Sequence, residues 1–236
     1  MNSPKKNQEK RTMNDADRSR DKSSEEKSHR KIAIFGGTFD PIHNGHLAVV
    51  KAAYRELHVD EVILMPTKLR YYKKENPGSR LYDRVAMLAL AVDPYPYMRI
   101  SDMELRSRSD RNYTYCTLTR LAKAHPDAEL IFILGGDSLA YLGNWREAEK
   151  LFLLATFAAA VRDDVDTDRA KELIRGYQER FPKARFRLLH MKPQNISSTE
   201  IRERASKRES IANLVPETVE RYIVRNCLYT EERGKV

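Results

Sequence analysis

The chain has 236 residues, with 43 Lys and Arg against 34 Asp and Glu, and a formal charge of +9. Its apolar runs all fall short of the ~20 residues that a membrane helix needs. Two cysteines, Cys116 and Cys227, form neither a disulfide framework nor a zinc site, so a reducing, cytoplasmic setting is expected, with a polyanion as the first partner to consider.

Residues 1–31 hold ten basic and six acidic side chains, a net +4, and only Met1, Met13 and Ala16 are apolar. Such a segment cannot bury enough surface to offset chain entropy, so 1–30 is expected to be a disordered basic tail. It lacks the apolar centre of a secretory signal, and six acids disagree with a mitochondrial presequence. Its charges are mixed rather than blocked, which favours a solvated tail over a nucleic-acid arm. A domain over 31–229 and a short tail over 230–236 follow.

Lys31–Phe35 is a short apolar run ended by Gly36-Gly37, and reads as a buried strand. A helix over 45–58 and a strand over 61–66 come next. Leu81, Val85, Leu88 and Val92 recur at helical spacing and predict a helix over 79–93 with that stripe inward. A weak strand near 98–101 and a helix over 114–125 precede the strand 129–134, which again ends in a glycine pair, Gly135-Gly136. A strand at 155–161, a helix carrying Ala170, Leu173, Ile174, Tyr177 and Phe181 on one face, and a strand at 185–190 follow. Helices over 198–208 and 216–225 end the chain, the last with Pro216 in its first turn. Strands alternating with helices specify an α/β protein with a doubly wound, mostly parallel sheet, helices on both faces and a C-terminal helical segment. Ligands of such sheets bind beyond the carboxyl ends of the strands.

The segment at the first of those ends is GGTFDPIHNGH, 36–46. Gly36 and Gly37 allow close backbone approach, and free amides where a helix starts suit phosphate. His43 and His46, three apart, can face one crevice and donate to phosphate oxygens. Taken singly, the glycine pair is a tight turn and the histidines are polar side chains at a helix start. No third ligand accompanies the histidines, so no protein-held metal is expected. The segment is neither a Walker A loop nor GxGxxG. ISSTEIR, 196–202, places Ser197, Ser198 and Thr199 ahead of a helix containing Arg202, a second phosphate clamp or simply a capped helix. Asp137, after the second glycine pair, could accept from ribose hydroxyls or cap a helix. Trp145, the single tryptophan, offers a face for stacking or packs in a core.

GGTFDPIHNGH resembles the (H/T)xGH motif of Rossmann-like nucleotidyltransferases. With NYTYCTL (112–118), GGDSLAYLGNW (135–145), ISSTEIR and PETVERYIVRNCLY (216–229) in the same order and spacing, the chain from Lys31 to Tyr229 resembles the nicotinate-nucleotide adenylyltransferases. The resemblance implies AMP transfer from ATP to nicotinate mononucleotide, giving deamido-NAD and pyrophosphate, with Mg2+ carried by ATP. It implies catalytic roles for His43, His46 and Arg202. ATP contacts fall to Gly36, Gly37, Thr38, Phe39, Gly45, Gly135, Asp137, Ser197, Ser198 and Thr199, and mononucleotide contacts to Lys73, Tyr113, Thr114, Trp145 and Arg162. A homo-oligomer is allowed and nucleic acid disfavoured. Two departures bear on the mononucleotide: Arg70-Tyr71-Tyr72-Lys73-Lys74 stands where many members have Pro-Pro-His-Lys, and Arg162-Asp163-Asp164 where Arg-Pro-Gly is common. A preference for nicotinamide mononucleotide, transfer to another small phosphate such as phosphopantetheine, and a nucleotide- or nucleic-acid-binding protein acting through the tail stand as alternatives.

Overall fold

Aliphatic runs without polar alternation require cover on both faces, and a parallel sheet between helices supplies it. In the computed structural model, which describes residues 30–68, 81–107, 112–161, 163–192 and 194–230, six strands pair in parallel in the order β3-β2-β1-β4-β5-β6. They are β1 Lys31–Gly37, β2 Glu61–Pro66, β3 Met98–Ile100, β4 Glu129–Gly135, β5 Thr156–Val161 and β6 Arg185–His190. Every residue of central β2 is buried, whereas edge strand β6 alternates. This is the Rossmann-like order, and it reverses between β1 and β4, where such sheets open a crevice.

Strand alternation divides the core. Ala33, Ile131 and Ile133 face helices α1 (Asn44–Glu56), α2 (Leu81–Val92), α7 (Ser198–Ser206) and α8 (Glu217–Arg225). Ile32, Ile34, Leu130 and Phe132 face the other layer, which includes α3 (Thr114–Ala124), α4 (Gly136–Tyr141), α5 (Ala148–Leu154) and α6 (Asp164–Arg180). No described helix is long and apolar enough to cross a membrane.

Several expectations need correction. The glycine pairs are not turns beyond the strands: β1 runs through Gly36 and Gly37, and β4 through Gly135. Helix α1 stops at Glu56, two residues early, because His58 turns left-handed at φ 50°. Between 136 and 155 the sequence shows no helix, yet α4, a 3-10 turn at Leu142–Asn144 and α5 fill it. Elements of six and seven residues are too short to display a helical period. Helix α2 is rotated from the expected stripe: Asp83, Arg84, Met87, Leu88, Ala91 and Val92 are buried, while Leu81 is 41% exposed. The reason is polar, since Tyr222 of α8 donates to Asp83 Oδ1 at 3.1 Å and Arg84 holds two backbone carbonyls described below. Pro216 is the N-cap of α8, outside the first turn. The expected tail, with Lys73 and Arg162, lies outside the described residues.

Candidate active site

The β1–α1 loop is ordered by its own polar groups. His43 is the N-cap of α1, and its Nδ1 accepts from the His46 amide at 3.3 Å, while His46 Nδ1 accepts from the His43 amide at 3.3 Å. The two rings stack with centroids 3.7 Å apart. Burial lowers the His43 pKa to about 4. Burial, then the neighbouring His43, holds His46 well below the ordinary histidine value. Both rings are therefore neutral at pH 7, and because each Nδ1 accepts, each proton resides on Nε2. The pair presents two Nε2–H donors of fixed tautomer. A Cβ at Gly45 would crowd the stacked His43 ring, with Nδ1 at 3.0 Å. A Cβ at Gly37 would meet the Phe39 ring at 2.9 Å, whereas at Gly36 the nearest atom is 3.9 Å away.

Beneath this loop lies a group the sequence reading missed. The Arg84 side chain, 1% exposed, donates through Nη1 to the carbonyls of Thr38 (2.6 Å) and Thr67 (3.0 Å), tying the end of β1 to that of β2. Burial lowers its pKa, opposed by the charge of Asp40. Tyr229 donates to Asp40 Oδ1 at 2.8 Å, so the C-terminal segment also secures the loop. Phe39 holds φ 49°, a sparsely populated conformation, and its ring is 2% exposed, leaving only its backbone to meet a ligand.

The second helix start faces the first. Ser197 caps α7 by accepting from the Glu200 amide at 3.1 Å. Ser198 donates to the Pro41 carbonyl at 3.0 Å, and Arg202 donates to the Asp40 carbonyl at 2.8 Å and to Thr199 Oγ1 at 3.2 Å. Segments some 160 positions apart thus meet, and Arg202, Ser198 and Thr199 gather at the loop holding Thr38, His43 and His46.

Beside it a cavity of about 880 Å³ opens at the carboxyl ends of β1 and β4, lined by Gly36, Thr67, Lys68, Glu104, Tyr113, Thr114, Phe132, Gly135, Asp137, Trp145 and Arg146 among others. Tyr113 is the N-cap of α3 and Thr114 its first residue. Trp145 is half-buried, edge-on to Phe132 with centroids 6.0 Å apart. Asp137 is exposed in the first turn of α4, whose N-cap is Gly135, and it makes no capping bond. Thr117 donates to Glu104 Oε1 at 2.9 Å and Asn112 to the Glu104 carbonyl at 2.9 Å. Burial raises the Glu104 pKa, and the Thr117 bond opposes it. Lys68 donates to the Ser107 carbonyl. The Arg146 guanidinium lies over the Tyr113 ring, 4.7 Å from its centroid. Lys68, Glu104 and Arg146 escaped the sequence reading because each stands among several charged neighbours, with no spacing that singles it out for the cavity. Asp163, one of the departures, has a local purpose: it caps α6 by accepting from the Asp166 amide at 2.8 Å.

Two helix starts facing one loop on one side of a switch point, and an aromatic-walled cavity on the other, have the layout of a nucleotidyltransferase, which grips phosphates and seats an acceptor beside them. Residues 34–204 match the family model described as cytidylyltransferase-like. A probable nicotinate-nucleotide adenylyltransferase of Lachnoclostridium phytofermentans is 40% identical over 203 residues, covering 85% of this chain and 99% of that relative. Its counterpart in Bacillus cytotoxicus is 36% identical over 202 residues, 85% and 98% of the two chains. The solved Plasmodium falciparum nicotinic acid mononucleotide adenylyltransferase complexed with NaAD shares the fold with a TM-score of 0.66 at 23% identity, over 85% of this chain and 98% of that one. The chain belongs to the nicotinate-nucleotide adenylyltransferases of the cytidylyltransferase-like family.

Proposed function

We propose that the protein transfers AMP from ATP to nicotinate mononucleotide, forming deamido-NAD and pyrophosphate. A 5′-phosphate oxygen of the mononucleotide attacks the α-phosphorus of ATP. The bond from that phosphorus to the bridging oxygen of the β-phosphate breaks, and its electron pair leaves with pyrophosphate. No side chain bonds covalently to the substrate, so alignment and charge stabilisation carry the reaction. The observation that carries this reading is the reciprocally capped His43–His46 pair, whose two neutral Nε2–H groups are preorganised donors for the α- and β-phosphate oxygens.

Arg202 and Ser198, already fixed against the loop, receive the departing pyrophosphate, with the α7 amides and the hydroxyls of Ser197 and Thr199 alongside. Gly36, Gly37, Gly45 and the backbone of Thr38 and Phe39 admit the transferred phosphate. Asp137, uncapped and exposed beside Gly135, accepts from ribose hydroxyls. Trp145, Tyr113 and Thr114 receive the pyridine ring, and Lys73 and Arg162 complete the mononucleotide contacts in this reading. Mg2+ enters on the triphosphate as part of the substrate, neutralising its charge. Among the described residues no group of three or more His, Cys, Asp or Glu is gathered to hold a metal.

Pyrophosphate release with ATP and Mg2+ tests the reading, comparing nicotinate with nicotinamide mononucleotide. Faster turnover of the acid is expected; equal rates would remove the acid-specific assignment, and no turnover of either would remove the activity.

A further inference from the structure

The cavity raises a question that the phosphate loop does not: what distinguishes a ring bearing a carboxylate from one bearing a carboxamide. We infer that the Arg146 guanidinium reads this ring substituent, selecting the acid. The inference rests on the reading that the cavity seats a pyridine mononucleotide.

Arg146 directly follows Trp145, so a ring stacked on the indole carries its substituent within reach of the next side chain. The guanidinium is held over the Tyr113 ring, 4.7 Å from its centroid, at the wall of the cavity. The adjacent acid, Glu147, pairs with Lys150 at 2.8 Å and feels the Arg146 charge only after that of Lys150. Among the described residues Arg146 makes no ion pair. Lys68, the other described cation of the lining, is committed to the Ser107 carbonyl. The backbone beyond Arg146 is unusual too: Glu147 holds φ 57°, a left-handed conformation that persists only where its surroundings determine it. Two carboxylates share the lining, Glu104 and Asp137. Glu104 is tied to Thr117, and burial disfavours its charge.

The electrostatics act in both directions. Both mononucleotides carry a positive pyridinium, which a nearby guanidinium repels. Only the acid adds a carboxylate, which a planar guanidinium can grip with two parallel donors. Arg146 therefore favours the acid and penalises the amide.

The test is the ratio of kcat/KM for nicotinate over nicotinamide mononucleotide in wild type, Arg146→Gln and Arg146→Lys, with thermal midpoints as a folding control. Arg146 is exposed, so both variants are expected to fold. Gln should lower the ratio roughly 10- to 100-fold, chiefly by raising KM for the acid, as loss of one charge-assisted contact implies. Lys should retain part of it, keeping the charge without the fork. An unchanged ratio in Gln overturns the inference, and so does an equal fall for both substrates, which marks a structural role. Wild type active on the acid with an unaltered ratio in Gln defeats this inference alone; wild type inactive on both defeats the proposed activity with it.

Discussion

The two halves of the site are built on opposite plans. On the phosphate side, His43 is 7% exposed and Arg84 1%, and each group is fixed by another: histidine by backbone amide, Arg84 by two carbonyls, Arg202 by the Asp40 carbonyl. On the cavity side, Gly135, Asp137 and Arg146 are exposed, and a Cβ added at Gly135 or Gly136 would meet no protein atom within 4 Å. Stabilising charge in a transition state demands donors that need no rearrangement. Seating a particular acceptor demands shape and a few well-placed charges. Fixed, buried groups are therefore concentrated at the His43–His46 loop, and open space lies where the acceptor would be seated.

The largest effect expected from this division is catalytic. His46→Ala removes one preorganised donor and should cost about 2–4 kcal/mol of transition-state stabilisation, read as a fall in kcat for pyrophosphate release with the mononucleotide KM little altered. Wild-type turnover in that variant would remove the histidine pair from the mechanism. Acid should expose the same pair through stability. His43 binds its proton more weakly folded, with a pKa of about 4, than unfolded at 6.5, so the unfolded chain takes up protons first as pH falls. Stability is complete above pH 6.5 and declines from there towards pH 4, by about 3 kcal/mol for this one group. His46 adds in the same direction. His43→Asn keeps a good N-cap without the titrating ring, so its unfolding midpoint should vary less over pH 6.5 to 4. Parallel profiles for the two proteins would contradict the neutral, buried assignment.

Glycines separate folding from ligand contact. Gly37→Ala drives a Cβ to 2.9 Å from the buried Phe39 ring, an overpacking cost of about 1–3 kcal/mol in stability. Gly36→Ala meets nothing nearer than 3.9 Å and should leave the thermal midpoint in place while lowering kcat/KM about tenfold or more, some 1.4 kcal/mol. Full activity in Gly36→Ala would show that no ligand approaches that backbone.

The halves also differ in how far the sequence discloses them. The phosphate side is legible because its groups lie in one run of eleven residues, 36–46, and one of seven, 196–202, at strand ends and helix starts that local rules identify. A mostly parallel sheet with helices on both faces follows from the same patterning, whereas the strand order does not. Of the cavity, the family resemblance supplies Tyr113, Thr114 and Trp145, whereas Thr67, Lys68, Glu104, Phe132 and Arg146 are brought beside them only by tertiary folding. Arg84 was hidden for another reason. A charged residue on a buried helix face contradicts the apolar period that signals burial, and it displaced the expected Leu81–Val85 stripe because its hydrogen bonds outweigh one more exposed leucine. Helices α4 and α5 carry Asp137 and flank Trp145, yet are too short to show a period.

The smallest expected effect probes the boundary between the halves most directly. Trp145 is the single tryptophan, half-buried against Phe132 and lining the cavity. Stacking on a cationic pyridinium contributes on the order of 1 kcal/mol. Trp145→Ala should therefore raise the mononucleotide KM about five- to tenfold with the ATP KM nearly constant, and Trp145→Phe should retain most of the wild-type affinity. The indole is also its own reporter. Its fluorescence should change on titration with nicotinate mononucleotide and stay level with ATP and Mg2+ alone, as the proposed seating of the pyridine ring on Trp145 and of the triphosphate at the His43–His46 loop requires. A signal of equal size from ATP alone would place the adenine nucleotide against the indole itself, and the separation of a rigid phosphate half from an open acceptor half would fail with it.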